Sequence, residues 1–312
     1  MGPLLKLQEE ISKVMSGKDK EVELLTIALL FNGHVLLESV PGTGKTMLAK
    51  SFAKAINGKF SRVQFTPDVL PSDVTGIQFF NPKRLEFELR PGPIVANIVL
   101  ADEINRATPR TQSSLLEVME ERQVTIDGHT IEVSDPFMVI ATQNPVESQQ
   151  GTFPLPAAQL DRFFIKLDMN YPSLQEEKMI IQIHNNLLAK PEVQTVIELE
   201  ELQGMKEAVL SIKMNDAIEN YVLDIVRATR DYGDIELGVS PRGTLALIRS
   251  AQGKAYFAGR NYMIPEDIKT MVPYVLAHRI YLSTEASLTK RAELVLQELL
   301  DTIPVPVESG HI

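Results

Sequence analysis

Three short strings carry the side chains that could do chemistry. PGTGKT, Pro41 to Thr46, joins an apolar run to a stretch of good helix formers. Gly42 and Gly44 let the backbone close around an anion, and the amides that open the following helix direct partial positive charge into the same space. Lys45 then reaches the β and γ phosphates of a nucleotide and the Thr46 hydroxyl ligates Mg²⁺, which is the chemistry of a phosphate-binding loop. IVLADE, Ile98 to Glu103, ends in two carboxylates. Asp102 suits a Mg²⁺ held through its water shell, and Glu103 suits polarisation of an attacking water. The run from Phe137 ends in Thr142-Gln143-Asn144-Pro145, where an amide could orient water against a γ-phosphate. Taken singly, an acidic pair ending a strand is commonly a solvated turn, and Asn-Pro is a turn signal. Downstream of a phosphate loop, their succession favours phosphoryl transfer. One position departs from the loop pattern: Ser39 stands where its first glycine is expected, so that turn must be made without a residue free to take positive φ.

Each string needs a strand before it and a helix or turn after it. Short apolar runs predict buried strands at His34–Glu38, Phe60–Phe65, Ile98–Glu103, Phe137–Ala141 and Phe163–Leu167, with the loop helix over Thr46–Ala55. Successive strand residues point opposite ways, so Asp102 is expected to face the metal while Glu103 faces the nucleophile. Residues 4–31 read as two helices joined at Ser16-Gly17. Between Pro67 and Pro93, apolar and polar residues alternate around the turn Asn81 to Arg84, the pattern of an inserted β-hairpin. A helix over Thr111–Glu121 precedes a second hairpin, whose type I′ turn is Asp127-Gly128. After Tyr171-Pro172-Ser173 the spans 174–189, 198–210, 215–231, 241–258, 265–279 and 288–300 have helical periodicity with no strand among them, and the chain closes on an extended tail. Pro241 and Pro265 sit at first-turn positions. The fold expected is α/β: a nucleotide-binding core over residues 1–170 and a helical domain over 171–312.

Composition bounds the rest. With 312 residues, 44% hydrophobic, the chain can bury two cores. A formal charge of −10, and 31 Lys and Arg without a long run, argue against a dedicated nucleic-acid binder. The absence of cysteine excludes disulfide scaffolds, iron–sulfur clusters and thiolate zinc sites. Leu24–Phe31 is too short an apolar run for a bilayer, and with no signal-peptide layout the expected location is cytoplasmic, without membrane insertion.

In order and spacing, PGTGKT, IVLADEINRA, VIATQNP, QLDRF and VSPRGTLALIRSAQ resemble the motifs of AAA+ ATPases and, more narrowly, of the MoxR family, over residues 10 to 300. The 67–93 insertion resembles that family's helix-2 insert. The Asp127-Gly128 hairpin is similar to the pre-sensor-1 hairpin shared with magnesium chelatase and McrB-type proteins. The resemblance implies an AAA+ P-loop core, a parallel sheet with helices on both faces and two hairpin insertions, followed by an all-helical lid. It implies ATP and Mg²⁺ as cofactors, with Pro41, Gly42, Thr43, Gly44, Lys45, Thr46 and Met47 on the nucleotide and Thr46 and Asp102 on the metal. Glu103 resembles the Walker B base, Asn144 sensor 1, Arg162 an arginine finger completing a neighbour's site, and Arg242 sensor 2. Arg106 is a second candidate for the contact in trans. The implied assembly is a homo-hexameric ring that remodels or matures a protein client, often with a von Willebrand factor A domain partner. A magnesium-chelatase-like motor subunit, a McrB- or RuvB-like nucleic-acid motor and a nucleotide-gated scaffold remain alternatives. The acidic balance weighs against the nucleic-acid motor, and intact Glu103 and Arg162 weigh against the scaffold.

Overall fold

A computed structural model describes residues 2–40, 42–144, 151–185 and 192–306. Two compact units emerge from the contacts: the first comprises the chain up to Pro156 together with Leu167–Leu202, and the second Ala157–Lys166 together with the chain from Gln203 on.

The first unit opens with α1 (Pro3–Ser12) and α2 (Asp19–Leu30), which bury Leu7, Ile11, Val22, Leu25 and Leu29 at helical spacing. There follow β1 (Val35–Ser39), α3 (Lys45–Ala55), β2 (Phe60–Gln64) and the one-turn α4 (Pro71–Thr75). The first inserted hairpin is β3 (Gly76–Asn81) with β4 (Glu86–Pro91), as the alternation predicts. Then come β5 (Ile98–Asp102), a 3₁₀ turn over Ile104–Arg106, α5 (Pro109–Glu121), and the second hairpin of β6 (Gln123–Ile126) and β7 (His129–Glu132). Asp127 and Gly128 both have positive φ, 46° and 84°, which is what a type I′ turn demands. β8 (Met138–Gln143), β9 (Ile165–Met169) and α7 (Leu174–His184) complete this stretch, with α6 (Ala157–Leu160) of the second unit between β8 and β9.

The five-stranded sheet runs in the order β2-β5-β8-β1-β9. The β2–β5, β5–β8 and β8–β1 ladders are parallel. β5 is buried at every residue and β8 at all but its last, which is why both read as continuous apolar runs. This order separates β1 from β5 by one strand. The register, Leu37 opposite Thr142 and Ala101 opposite Ala141, brings the ends of all three to one edge of the sheet, where α/β proteins bind ligands.

α8 (Leu199–Leu210), α9 (Asp216–Asp231), α10 (Pro241–Phe257), α11 (Pro265–Leu276), α12 (Thr284–Ser287) and α13 (Ala292–Thr302) follow. Asn215 and Ser240 accept the amides of Ile218 and Gly243 as helix caps, and Pro241 and Pro265 open their helices as expected. The helical unit also holds a ladder that periodicity does not show: β10 (Ile235–Leu237) pairs with β11 (Tyr281–Leu282) across an irregularity. Strands of three and two residues are too short to display a period of two. Among the described residues no helix is long and apolar enough to cross a membrane. Most of the expected tail lies outside the described residues.

Candidate active site: a phosphate loop beside two carboxylates

β1 delivers its chain end to the loop. Ser39 is its last residue, buried and outside the positive-φ region, so no glycine conformation is required where the pattern has one. The left-handed steps fall on Gly42 (φ 83°) and Gly44 (φ 87°), which caps α3. Pro41 lies outside the described residues. The Thr43 hydroxyl donates to the Val40 carbonyl at 3.2 Å and closes the turn. Lys45, Thr46 and Met47 head an 11-residue helix, whose first amides point out of its N-terminal end and make it attractive to an anion. Beside the loop lies a largely apolar cavity lined by Met15, Gly44, Met47, Pro172, Met179 and Ile180. Its size class and lining suit a flat heteroaromatic ring.

β5 delivers the carboxylates. Asp102 is buried and its charge is compensated: Lys45 Nζ lies 3.9 Å from Oδ1, Arg62 Nη2 donates to Oδ2 at 2.6 Å, and the Thr142 hydroxyl donates to Oδ1 at 2.6 Å. Thr142 in turn accepts the Glu103 amide at 2.9 Å. The expectation that strand alternation parts the two carboxylates is corrected here. β5 stops at Asp102, and Glu103 lies beyond it in the left-handed region (φ 58°, ψ 48°). A reversal of the backbone, rather than the pleat, sends its side chain elsewhere. Gln64 Nε2 donates to Glu103 Oε2 at 2.9 Å and Arg106 Nε lies 3.1 Å from the same oxygen. Arg62 also donates to Gln64 Oε1 at 2.7 Å, so β2 ties the two carboxylates into one network. Arg106 is thus engaged with the glutamate of its own chain.

Asn144 is buried at the end of β8, the strand between β1 and β5. Its neighbour Gln143 donates to Glu38 of β1 at 2.5 Å. The oxygen donor set of Thr46 and Asp102 fits Mg²⁺, which takes few protein ligands and completes its shell with phosphate and water. Among the described residues no group of three or more His, Cys, Asp or Glu could hold a metal ion by itself. The structure thus gathers the loop, Lys45, Thr46, Asp102, Glu103 and Asn144 in the first unit. Arg162 and Arg242 belong to the second unit.

Comparison with known proteins shows the family of the fold. Residues 34–165 match the family model of the ATPase family associated with various cellular activities, and residues 227–299 match the AAA lid domain. Chaperone MoxR1 of Mycobacterium tuberculosis is 40% identical over 95% of this chain and 81% of its own length. The chain belongs to the MoxR family of AAA+ ATPases. A second MoxR relative, Protein MoxR of Methylorubrum extorquens, is 30% identical over 96% of the chain and 94% of its own. The uncharacterised YeaC of Bacillus subtilis is 49% identical over 99% and 97%. A crystal structure from Cytophaga hutchinsonii, of a protein provisionally described as an ATPase, superposes with a TM-score of 0.91 at 35% identity, covering 98% of this chain and 95% of the other. In this MoxR-family ATPase the residues that sequence reasoning missed are Arg62, Gln64 and Thr142. Polar residues ending β2 are unremarkable until β2 is known to lie beside β5.

Proposed function

We propose that this MoxR-family protein hydrolyses ATP in an Mg²⁺-dependent reaction and uses the cycle to remodel or mature a protein client. The observation that carries the reading is the network at the edge of the sheet, where Lys45 meets Asp102 and Glu103 is held by Gln64, Arg106 and Thr142. The loop amides and Lys45 bind the phosphates, and the apolar cavity takes the base. Thr46 and Asp102 would hold Mg²⁺, which would supply neutralisation of the charge developing on the phosphate oxygens. Glu103 uses Oε2 to accept its two donors, leaving Oε1 to take a proton from water as it attacks the γ-phosphorus. Asn144 orients that water, Arg242 senses the nucleotide, and Arg162 serves the neighbouring site in a cytoplasmic homo-hexamer.

Client contact is assigned to the inserted hairpins, on a specific observation. β3–β4 leaves Ile77, Phe79, Phe80, Leu85 and Phe87 exposed, with Phe80 packed edge-on against Phe87 at 5.4 Å. Exposed aromatic side chains on an insertion, Phe80 and Phe87 sharing one face of the hairpin, support that assignment. A von Willebrand factor A domain protein is the partner class proposed for it. Asp127 plays a different part, accepting the Gln78 amide at 3.3 Å and so joining the two hairpins.

Glu103→Gln tests the chemistry. Turnover is expected to fall on the order of 10²–10⁴-fold while ATP affinity is kept, because only the proton acceptor is lost. Steady-state hydrolysis beside equilibrium nucleotide binding measures both, and a variant with wild-type turnover would sink the role given to Glu103.

A further inference from the structure

The second unit contains an ion pair between a buried arginine and a half-buried aspartate that the chemistry above does not use. Arg279, three residues past α11, is 5% exposed. Its Nε donates to Asp161 Oδ1 at 2.8 Å, Nη2 donates to the Phe163 carbonyl at 2.6 Å, and Nη1 donates to the Phe164 and Val275 carbonyls. Burial pulls its pKa down to about 10, with Asp161 opposing that shift and the positive Arg242 adding to it, so the group is still charged at neutral pH. Asp161 Oδ2 accepts the Ser240 hydroxyl at 2.8 Å, while Ser240 caps α10 by accepting the Gly243 amide at 3.1 Å. Gly243 is required for this packing, since a Cβ there would lie 2.8 Å from Arg279 Cδ and 2.6 Å from Val239 Cγ1. His278 adds a further tie. Its Nε2 lies 3.0 Å from Phe163 O and 2.9 Å from Arg279 Nη1, while its buried Nδ1 has no hydrogen-bond partner among the described residues.

Asp161 therefore joins three pieces of chain: the QLDRF segment, the first turn of α10 and the end of α11. Arg162 is its next residue, and Arg242 is two residues past Ser240. We propose that Asp161, Ser240 and Arg279 are positioning residues that mount Arg162 and Arg242 on one rigid piece, so that the two arginines shift together through the ATPase cycle. The inference rests on the roles proposed above for Arg162 and Arg242. Its physical basis is that a long arginine side chain is fixed only as well as the backbone beneath it. Here that backbone is held through carbonyls on both sides of the ion pair. Removing Asp161 would leave the charge of buried Arg279 uncompensated, so the pair holds these three pieces of chain to one geometry.

The test is a double-substitution cycle in the full-length assembled protein, read by kcat and KM for ATP with thermal unfolding alongside. Asp161→Asn retains the shape and loses the charge. It is expected to lower kcat by about tenfold or more, with KM little changed, as displaced catalytic groups do. In a background that lacks both arginines, Arg162→Ala with Arg242→Ala, the same substitution is expected to cost less than about twofold, because both groups it positions have gone. Losses that multiply in that combined variant, or a lowered melting temperature with unchanged kcat, would overturn the mount. An unchanged kcat in the Arg162→Ala, Arg242→Ala variant alone would remove the arginine reading itself, and the mount with it. Should Asp161→Asn fail to fold, Ser240→Ala breaks only one arm and is read by the same cycle.

Discussion

The two ends of the central sheet bury polar groups in opposite ways. At the end where β1 begins, His34 is fully buried and neutral, its pKa lowered to about 4 chiefly by burial. Both ring nitrogens are satisfied by main chain: Nδ1 accepts the Val139 amide at 3.0 Å and Nε2 donates to the Met119 carbonyl at 3.0 Å. The ring also packs edge-on against Phe137. At the end where β1 stops, Lys45, Arg62, Asp102 and Glu103 are charged, and side chains supply most of their partners. A neutral group bonded to backbone can only hold the fold. Charged groups paired through side chains can exchange those partners for phosphate, metal and water. Stability and the proposed catalysis thus fall at opposite ends of the sheet, and the separation can be tested from both ends.

The largest effect is expected at the catalytic end. Lys45→Ala should lose nucleotide binding and turnover while thermal stability stays close to wild type, since the lysine's nearest counter-charge is 3.9 Å away. Mixed with Arg162→Ala subunits, it should recover part of the activity if sites are shared between chains, an arginine finger being worth ~10³-fold or more. No recovery in mixtures shown to co-assemble would place the whole site within one chain.

Acid should act at the other end. His34 binds its proton at about 4 when folded and near the ordinary 6.5 when unfolded, so the unfolded state binds more protons between those values. Stability is then fully present above pH 6.5 and falls by about 3 kcal/mol as pH drops to 4. His278, also lowered by burial, adds a loss in the same direction. Denaturant unfolding across this range should show a shallower pH slope in His34→Leu, though the variant is less stable at pH 7 because the Val139 amide loses its acceptor. An unaltered slope would mean that His34 does not titrate on unfolding.

The smallest effect on hydrolysis is expected at the first hairpin, which belongs to neither end. Phe80→Ala combined with Lys83→Ala should change ATP turnover by less than about twofold and weaken capture of a partner domain or client. Unchanged capture by the doubly substituted protein would take β3–β4 out of the mechanism.

Much of this molecule is legible in its amino-acid sequence, and the reason is locality. PGTGKT folds as a phosphate loop because its glycines and the helix after it are adjacent in the chain. Asp127-Gly128 makes a type I′ turn wherever it stands, and Ser240-Pro241 starts a helix by side chain and ring alone. Family membership follows from the order of such strings. What the sequence could not contain was strand order. Only the sheet puts β8 between β1 and β5, so that Thr142 bridges Asp102 and the Glu103 amide, and only the sheet sets β2 beside β5, so that Arg62 and Gln64 become part of the site. The same holds for Glu103, read as the next residue of a strand but turned by a left-handed step, and for Asp161, whose partner Arg279 is 118 residues away. Local rules determine which residues can do chemistry. Long-range packing decides which of them meet.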